Sequence, residues 1–342
     1  MKTSGLSLVL LALLFSPLAS ASQASEPWPD NTAARVALAR PSNAAGSPTV
    51  SSCEQPEGAG GTEELASGKE RRPEWRLGVA AYSFRLFTFF EAVDKTKELG
   101  VKHIEAYQDQ VISKESPAKL TRDLPDETIE KVRRKLDDAG VTLTGIYIGK
   151  IPGDEAGCRE VFDFACKLGV GLIISEPDPE DLDAIEKFCN EYEINVALHN
   201  HPEGRSKYWD PKYVRELCEG RGPRIGACAD IGHWQRSGIK PIDGVRVLGD
   251  RILSFHIKDL NKFGQRSAHD VPWGTGKGGL AEVFAEVHRL GIEPAIFGIE
   301  YEHHWENSMP EIAKCVAFFR KVVSDLEQAD VQENEAREPA KR

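Results

Sequence analysis

The chain has 342 residues, 40% hydrophobic and 28% charged, with 30 glycines and 20 prolines; this is globular composition and excludes fibrous, collagen-like and membrane-embedded classes. Its 54 acidic and 43 basic side chains leave a formal net charge of −11, which argues against nucleic acid as a partner, since a phosphate backbone calls for a basic surface.

Met1-Lys2 opens a short apolar run, 6–18, that ends in the small residues Ala19-Ser20-Ala21 and Ser22-Gln23-Ala24. A positive start, a short apolar segment and an A-x-A-like site predict a signal peptide over 1–24 and a secreted or periplasmic location. A stable membrane insertion needs roughly 20 apolar residues, more than this run offers. Residues 25–73 are rich in Ser, Ala, Gly, Pro and Glu without an apolar period and predict a low-complexity linker. Residues 327–342 predict a charged flexible tail. The interval 74–326 holds about 250 residues, the usual size of one eight-stranded α/β barrel.

Within that interval one unit repeats: an amphipathic helix, a glycine, a β-branched residue, then a buried apolar strand. Leu99-Gly100-Val101, Ala139-Gly140-Val141, Leu168-Gly169-Val170 and Leu290-Gly291-Ile292 are copies of the junction. Strands are predicted at 77–82, 103–106, 142–148, 171–175, 195–199, 225–229, 252–257 and 295–301, and helices at 88–99, 126–139, 158–168, 180–191, 280–290 and 310–326. Alternation of this kind predicts a parallel sheet with right-handed crossovers, closed into a single (β/α)8 TIM barrel. An open doubly wound sheet would leave a G-x-G-x-x-G turn after its first strand, and none is present. The seven cysteines, 53, 158, 166, 189, 218, 228 and 315, form no C-x-x-C pair, so a zinc ribbon or dithiol redox centre is unsupported.

Active sites of such barrels lie at the carboxyl ends of the strands. Ionisable residues recur there: Glu105, Glu176, His199 with His201, Asp230 with His233, His256 with Lys258 and Asp259, and Glu300. His199, Asp230, His256 and Glu300 would offer two nitrogen and two oxygen donors to one divalent ion, a set suited to Mn, Zn, Co or Fe rather than Mg or Ca. Glu105 and Glu176 could contact substrate, support a metal ligand or cap the next helix. His201 could touch substrate or orient His199, and Lys258 could pair with Asp259. Trp273 could stack on a ring at the barrel mouth or pack within its loop. His303 and His304 fall beyond the last strand, in a loop.

Several stretches together resemble the xylose isomerase-like TIM barrel family, which includes sugar phosphate isomerases and epimerases, ketose 3-epimerases, inosose dehydratases and a metal-dependent endonuclease branch. They are Leu77-Gly78-Val79 with Tyr82-Ser83-Phe84, Gly100-Val101-Lys102-His103-Ile104-Glu105, Leu198-His199-Asn200-His201, Asp230-Ile231-Gly232-His233, His256-Ile257-Lys258-Asp259, Val271-Pro272-Trp273-Gly274-Thr275-Gly276 and Ile299-Glu300-Tyr301-Glu302. The resemblance spans about 76–326 and implies metal ligation by His199, Asp230, His256 and Glu300. One position departs from the pattern: the family commonly has Glu where this chain has His199. That glutamate and the one on the last strand are the acid–base pair of the sugar epimerases, so Glu300 keeps its role here while its partner is sought among Lys258, Glu176, His201 and a metal-bound water.

The resemblance implies a metal-dependent isomerase or epimerase that removes a proton next to a carbonyl, and the predicted export points to a free sugar or keto-sugar rather than a sugar phosphate. Glu300, Lys258 and Glu176 would be its catalytic groups, and Glu105, His201, His233 and Trp273 would face substrate. Loss of a β-substituent after the same step would make it a lyase or dehydratase on keto-sugars or keto-glycosides. A carbohydrate-binding barrel without turnover is the non-enzymatic alternative. A small sugar is the expected partner, and a homo-oligomer is compatible with the sequence.

Overall fold

The computed structural model describes residues 75–337; the predicted signal peptide and linker lie outside these. Eight parallel strands close into a barrel: β1 Leu77–Ala80, β2 His103–Tyr107, β3 Thr142–Tyr147, β4 Leu172–Ser175, β5 Asn195–His199, β6 Ile225–Asp230, β7 Ile252–Ile257 and β8 Phe297–Ile299. Each strand pairs with its neighbours in sequence, and β8 closes on β1 through Leu77 opposite Phe297. The predicted (β/α)8 barrel is therefore the observed fold.

Helices α1 Phe89–Glu98, α2 Asp126–Ala139, α3 Glu155–Leu168, α4 Leu182–Tyr192, α5 Pro211–Cys218, α6 Ile231–Arg236, α7 Pro241–Leu248, α8 Leu280–Arg289 and α9 Met309–Arg337 pack around it. Glycine at the repeated junction has a local cause: Gly140 and Gly169 adopt φ of 66° and 75°, and the following valines return N–H bonds of 3.0 and 3.1 Å to Leu136 and Ala165, so helix ends directly in strand. Three helices escaped the sequence reading, α5, α6 and α7, each at most eight residues and too short to display a clear period. The last helix passes the expected end near Leu326 and continues to Arg337. No helix among the described residues is long and apolar enough to cross a membrane.

Two apolar clusters follow from the two faces of a barrel strand. The larger lies between sheet and helices and includes Phe84, Val132, Phe162, Phe255, Trp273, Phe284 and Phe297. The smaller lies apart from it, with Leu172, Ile174, Ala197 and Cys228. Since side chains alternate along a strand, Ala197 and His199 share one face, as do Cys228 and Asp230, and Ser254 and His256. Register sets His199 beside Cys228 and Asp230 beside His256, so the polar groups form a layer over this small apolar plug.

Two hairpins stand outside the barrel, Val111–Ser113 with Ser116–Lys119 and Asp259–Leu260 with Asp270–Val271. The second leads directly into the turn Val271-Pro272-Trp273-Gly274. Asp259 organises that loop by accepting the backbone N–H of Gly274, Gly276 and Gly278, each at 2.9 Å. It is thus a loop anchor rather than a partner for Lys258. Trp273, expected at the mouth, is 3% exposed and packs on Phe284 with ring centroids 6.0 Å apart. Its indole has no surface to offer a ligand, because the loop folds back over α8 once Asp259 gathers its amides.

Candidate active site

Four side chains converge at the carboxyl end of the barrel. His199 ends β5, Asp230 ends β6, His256 lies in β7, and Glu300 follows β8; all four are buried, with one donor atom of each within 4.8 Å of the others. His199 Nε2 lies 3.1 Å from His256 Nδ1 and 3.7 Å from Asp230 Oδ2, and His256 Nδ1 lies 3.0 Å from Glu300 Oε2. A tetrahedral shell with bonds of about 2.1 Å has donor–donor edges of about 3.4 Å, and these separations straddle that value.

Proton placement sharpens the fit. His199 Nδ1 is 3.4 Å from Glu176 Oε1, and His256 Nε2 is 3.2 Å from Glu105 Oε2. Glu176 pairs with His199 Nδ1, and Glu105 lies within ion-pair distance of His256 Nε2 without a hydrogen bond of good geometry; ring protons on those two sides would leave the lone pairs of His199 Nε2 and His256 Nδ1 facing each other. Two lone pairs at 3.1 Å repel unless a proton or a cation lies between them. Carboxylates behind the ligating imidazoles are the usual supports of a metal site. Glu105 reaches His256 from β2 only because β8 has Gly298 there: a Cβ on that residue would meet Glu105 Oε2 at 2.6 Å. The chain thus fits a divalent ion held by His199, Asp230, His256 and Glu300, with Glu176 and Glu105 fixing the two rings.

Asp230 does two jobs. Its Oδ1 accepts the N–H of His233 at 2.8 Å and so caps α6, which turns its Oδ2 to the cluster. Asn200 holds the strand ends together, exchanging two 2.9 Å bonds with the backbone of Asp230. The D-x-x-H spacing is therefore a helix cap as well as a constellation of polar groups.

Lys258 is fully buried, and its ammonium bonds to both Asp230 Oδ2 and Glu300 Oε2, with Glu302 Oε2 at 3.7 Å. Burial alone would drive its proton off; Asp230, Glu300 and Glu302 outweigh that and hold its pKa well above the ordinary value. Burial likewise opposes ionisation of Glu300, yet His256 and Lys258 keep it well below the carboxylate range. In the metal-free cluster His199 is pushed up to about 9, burial being overcome by Asp230 and Glu176. Protons therefore compete with any cation for these donors.

Two further groups flank the cluster. His201 bonds to Glu176 Oε1 through Nδ1, and Tyr147 donates to the same oxygen at 3.3 Å. Three groups converge on that one oxygen, which suits Glu176 to orient His199 and His201. His233 stacks on His201 with centroids 5.0 Å apart, and its Nδ1 accepts from Arg236 at 2.9 Å, leaving Nε2–H directed at Asp230, 3.6 Å away. Burial holds His233 neutral, its pKa well below the usual value. Arg236 also binds Glu302 at 3.0 Å and Asp270 at 3.3 Å.

Sequence reasoning missed Tyr147, Arg236 and Asp270. Arg236 follows His233 by one helical turn, a spacing that becomes informative once α6 is recognised. Nothing local marks Asp270, which reaches Arg236 through the hairpin. His303 and His304 do lie in the loop after β8, with His304 bonded to Glu311 at 2.8 Å.

A closed parallel barrel with a buried ring of His, Asp and Glu at its carboxyl end defines a TIM barrel with a candidate metal centre. A family model for the xylose isomerase-like TIM barrel matches residues 179–322, and the chain belongs to that family. It is 30% identical to an uncharacterized protein of Parabacteroides distasonis, covering 72% of this chain and 98% of that one with a TM-score of 0.59. A D-tagatose 3-epimerase-like protein shares the fold at 17% identity, covering 75% and 99% of the two chains, with a TM-score of 0.58. The IOLI protein with a bound zinc atom does so at 14% identity, 73% and 98% coverage and a TM-score of 0.57. Among curated proteins, the uncharacterized protein y4fM of Sinorhizobium fredii is 25% identical over 101 residues; the match spans 30% of this chain and about a third of that relative.

Proposed function

We propose that this protein is a divalent-metal-dependent isomerase or epimerase of a free sugar or keto-sugar. The observation that carries the reading is the convergence of His199, Asp230, His256 and Glu300, flanked by the His201–Glu176 pair on one side and Lys258 on the other. Support comes from the zinc atom of the IOLI protein and from the sugar named in the D-tagatose 3-epimerase-like neighbour. A signal peptide over 1–24 would carry the chain to a compartment where free sugars are commoner than sugar phosphates.

A bound divalent ion supplies Lewis-acid polarisation of a carbonyl and its neighbouring hydroxyl. His199, Asp230, His256 and Glu300 hold it, and Glu105 and Glu176 keep the two rings in the ligating tautomer. Lys258 presents an ammonium beside Glu300, placed to stabilise negative charge as a carbon-bound proton leaves. His201, its Nδ1–H on Glu176, keeps Nε2 free to accept or return a proton. Glu300 stands on the opposite side of the cluster from Glu176. Two proton-handling groups on opposite sides are what inversion at carbon requires, and they offset the replacement of the family's strand-five glutamate by His199. Elimination would use the same abstraction, followed by loss of the substrate's β-substituent.

Incubation of the purified chain with aldoses, ketoses and 3-keto-glucosides in deuterium oxide, with Mn²⁺, Zn²⁺ or Co²⁺, tests this. Metal-dependent exchange of a carbon-bound hydrogen, abolished by Glu300→Gln, is expected. Turnover without exchange would sink proton abstraction, and a free enol or unsaturated product would identify the lyase. Sugar binding with no turnover by the unaltered chain would identify the non-catalytic barrel.

A further inference from the structure

A second group of side chains lies at the carboxyl ends of β1, β2 and β8, outside the ion-binding cluster. Tyr82 follows β1, Tyr107 ends β2, and Trp305 stands in the loop after β8. The Tyr82 ring meets Tyr107 edge-on at 5.3 Å and Trp305 edge-on at 5.7 Å, so the three form one wall, each half-buried. Arg85 lies against it: its guanidinium sits 4.5 Å from the Trp305 ring centroid, and one N–H reaches the Tyr82 hydroxyl at 2.8 Å. Burial, with Glu302 next, raises the Tyr82 pKa, and Glu300 adds to this, so the wall shares its electrostatic surroundings with the proposed catalytic cluster.

Many arginines of this barrel are held in ion pairs. Arg159, Arg215, Arg221, Arg224, Arg236 and Arg289 each pair with a carboxylate. Arg85 is half-buried, lies at the catalytic end, and pairs with no carboxylate among the described residues. Its hydrogen bond to Tyr82 leaves the remaining guanidinium N–H groups for a ligand, while Trp305 fixes the plane of the fork. A stacked, pre-oriented guanidinium recognises a planar anion through two parallel hydrogen bonds, and an adjacent aromatic face suits the C–H face of a sugar ring.

We infer that Arg85, Tyr82, Tyr107 and Trp305 form a subsite for a carboxylated sugar, so that the substrate is an acidic sugar such as a uronate rather than a neutral one. The inference rests on the proposed sugar site and names its substrate class. A carboxylate is favoured over a phosphate because a dianion is ordinarily held by several positive donors. Here a single guanidinium lies against Tyr82, whose electrostatic surroundings already include Glu302 and Glu300.

Binding of glucose, glucuronate and glucose 6-phosphate to the Mn²⁺-loaded full chain is measured by calorimetry, with the unaltered chain, Arg85→Met, Arg85→Lys and Trp305→Phe. Glucuronate is expected to bind at least about 10-fold more tightly than glucose, corresponding to about 1.4 kcal/mol. Arg85→Met should erase that preference, and Arg85→Lys should restore only part of it, since the ammonium lacks the fork. Trp305→Phe should weaken both sugars while retaining a preference for the acid. Equal affinity for glucose and glucuronate, a preference untouched by Arg85→Met, or an Arg85-dependent preference for glucose 6-phosphate over glucuronate would overturn the assignment. Thermal midpoints of the variants separate a lost contact from a lost fold. Glucose binding that requires the ion but shows no preference for the acid would remove this subsite and leave the sugar site standing; absence of binding by all three sugars would remove both.

Discussion

Replacing Lys258 by methionine keeps an unbranched side chain only one atom shorter and removes its charge. The ammonium touches two buried carboxylates and lies 3.7 Å from a third. At an effective dielectric of about 20, that longest contact alone is worth a gross attraction of about 4 kcal/mol. Desolvation of the ammonium offsets much of the sum, but the carboxylates are buried in either case, and breaking such an arrangement from one side typically costs about 3–5 kcal/mol. For a chain of this size each kcal/mol moves the thermal midpoint by about 2–4 °C, so the metal-free variant should melt roughly 6–20 °C below the unaltered chain. A divalent ion supplies the missing positive charge, so saturating Mn²⁺ should close at least about half of that gap. The assay is thermal or denaturant unfolding of both chains in chelator and in Mn²⁺. Equal midpoints in chelator, or a gap that the ion leaves unchanged, would refute the view that Lys258 and the ion neutralise the same carboxylates.

Two other substitutions probe the supports. Gly298→Ala sets a methyl 2.6 Å from Glu105 Oε2 and 2.9 Å from the Phe255 carbonyl oxygen, so it should cost about 1–3 kcal/mol and weaken ion binding by moving Glu105 off His256, read by unfolding and by metal titration. Asp270 is pushed up to about 7 by burial, with Arg236 pulling down and Glu302 pushing up. The folded chain therefore holds a proton that the unfolded chain releases near pH 4, and stability declines as pH rises through about 7, by on the order of 3 kcal/mol between pH 5 and 8. Asp270→Asn should flatten that slope, and denaturant midpoints at the two pH values check it.

The barrel was legible because its signals are local and repeated. Each Gly-Val or Gly-Ile junction states where a helix stops and a buried strand begins, so all eight strands fall within two residues of the predicted bounds. The candidate cluster was legible for a related reason: His199, Asp230 and His256 sit at or one residue before the ends of their strands, and fold class alone says those ends face one another. What stayed hidden depends on register and on missing atoms. Glu105 could be placed at a strand end but not behind His256, because its path runs through the space left by Gly298 on another strand. Of the two readings of Trp273, packing within its loop is the one found, and the sequence could not choose between them because the loop's direction is set by Asp259 gathering three distant amides, which no period records. Arg85 and Trp305 are 220 residues apart and meet only because the barrel closes.

His199 allows one further test of the electrostatic reasoning. With two neutral imidazoles, two carboxylates and one ammonium, the inner groups sum to one negative charge. A glutamate in place of His199 would make that two. The present arrangement should therefore hold a divalent ion less tightly than a three-carboxylate ring, and should leave the loaded site more positive and better able to stabilise an enediolate. His199→Glu is expected to raise affinity for Mn²⁺, measured by competition with a chelator, and to slow hydrogen exchange at carbon in any sugar that the unaltered chain turns over. It also removes a ring N–H from Glu176, so Glu176→Gln alone is the control for lost support, and it should weaken ion binding. If His199→Glu weakened the ion as Glu176→Gln does, the position would matter for its hydrogen bond to Glu176 and not for the charge of the ring. If it held the ion more tightly and exchange became faster, the argument that a more positive site favours proton loss would fail.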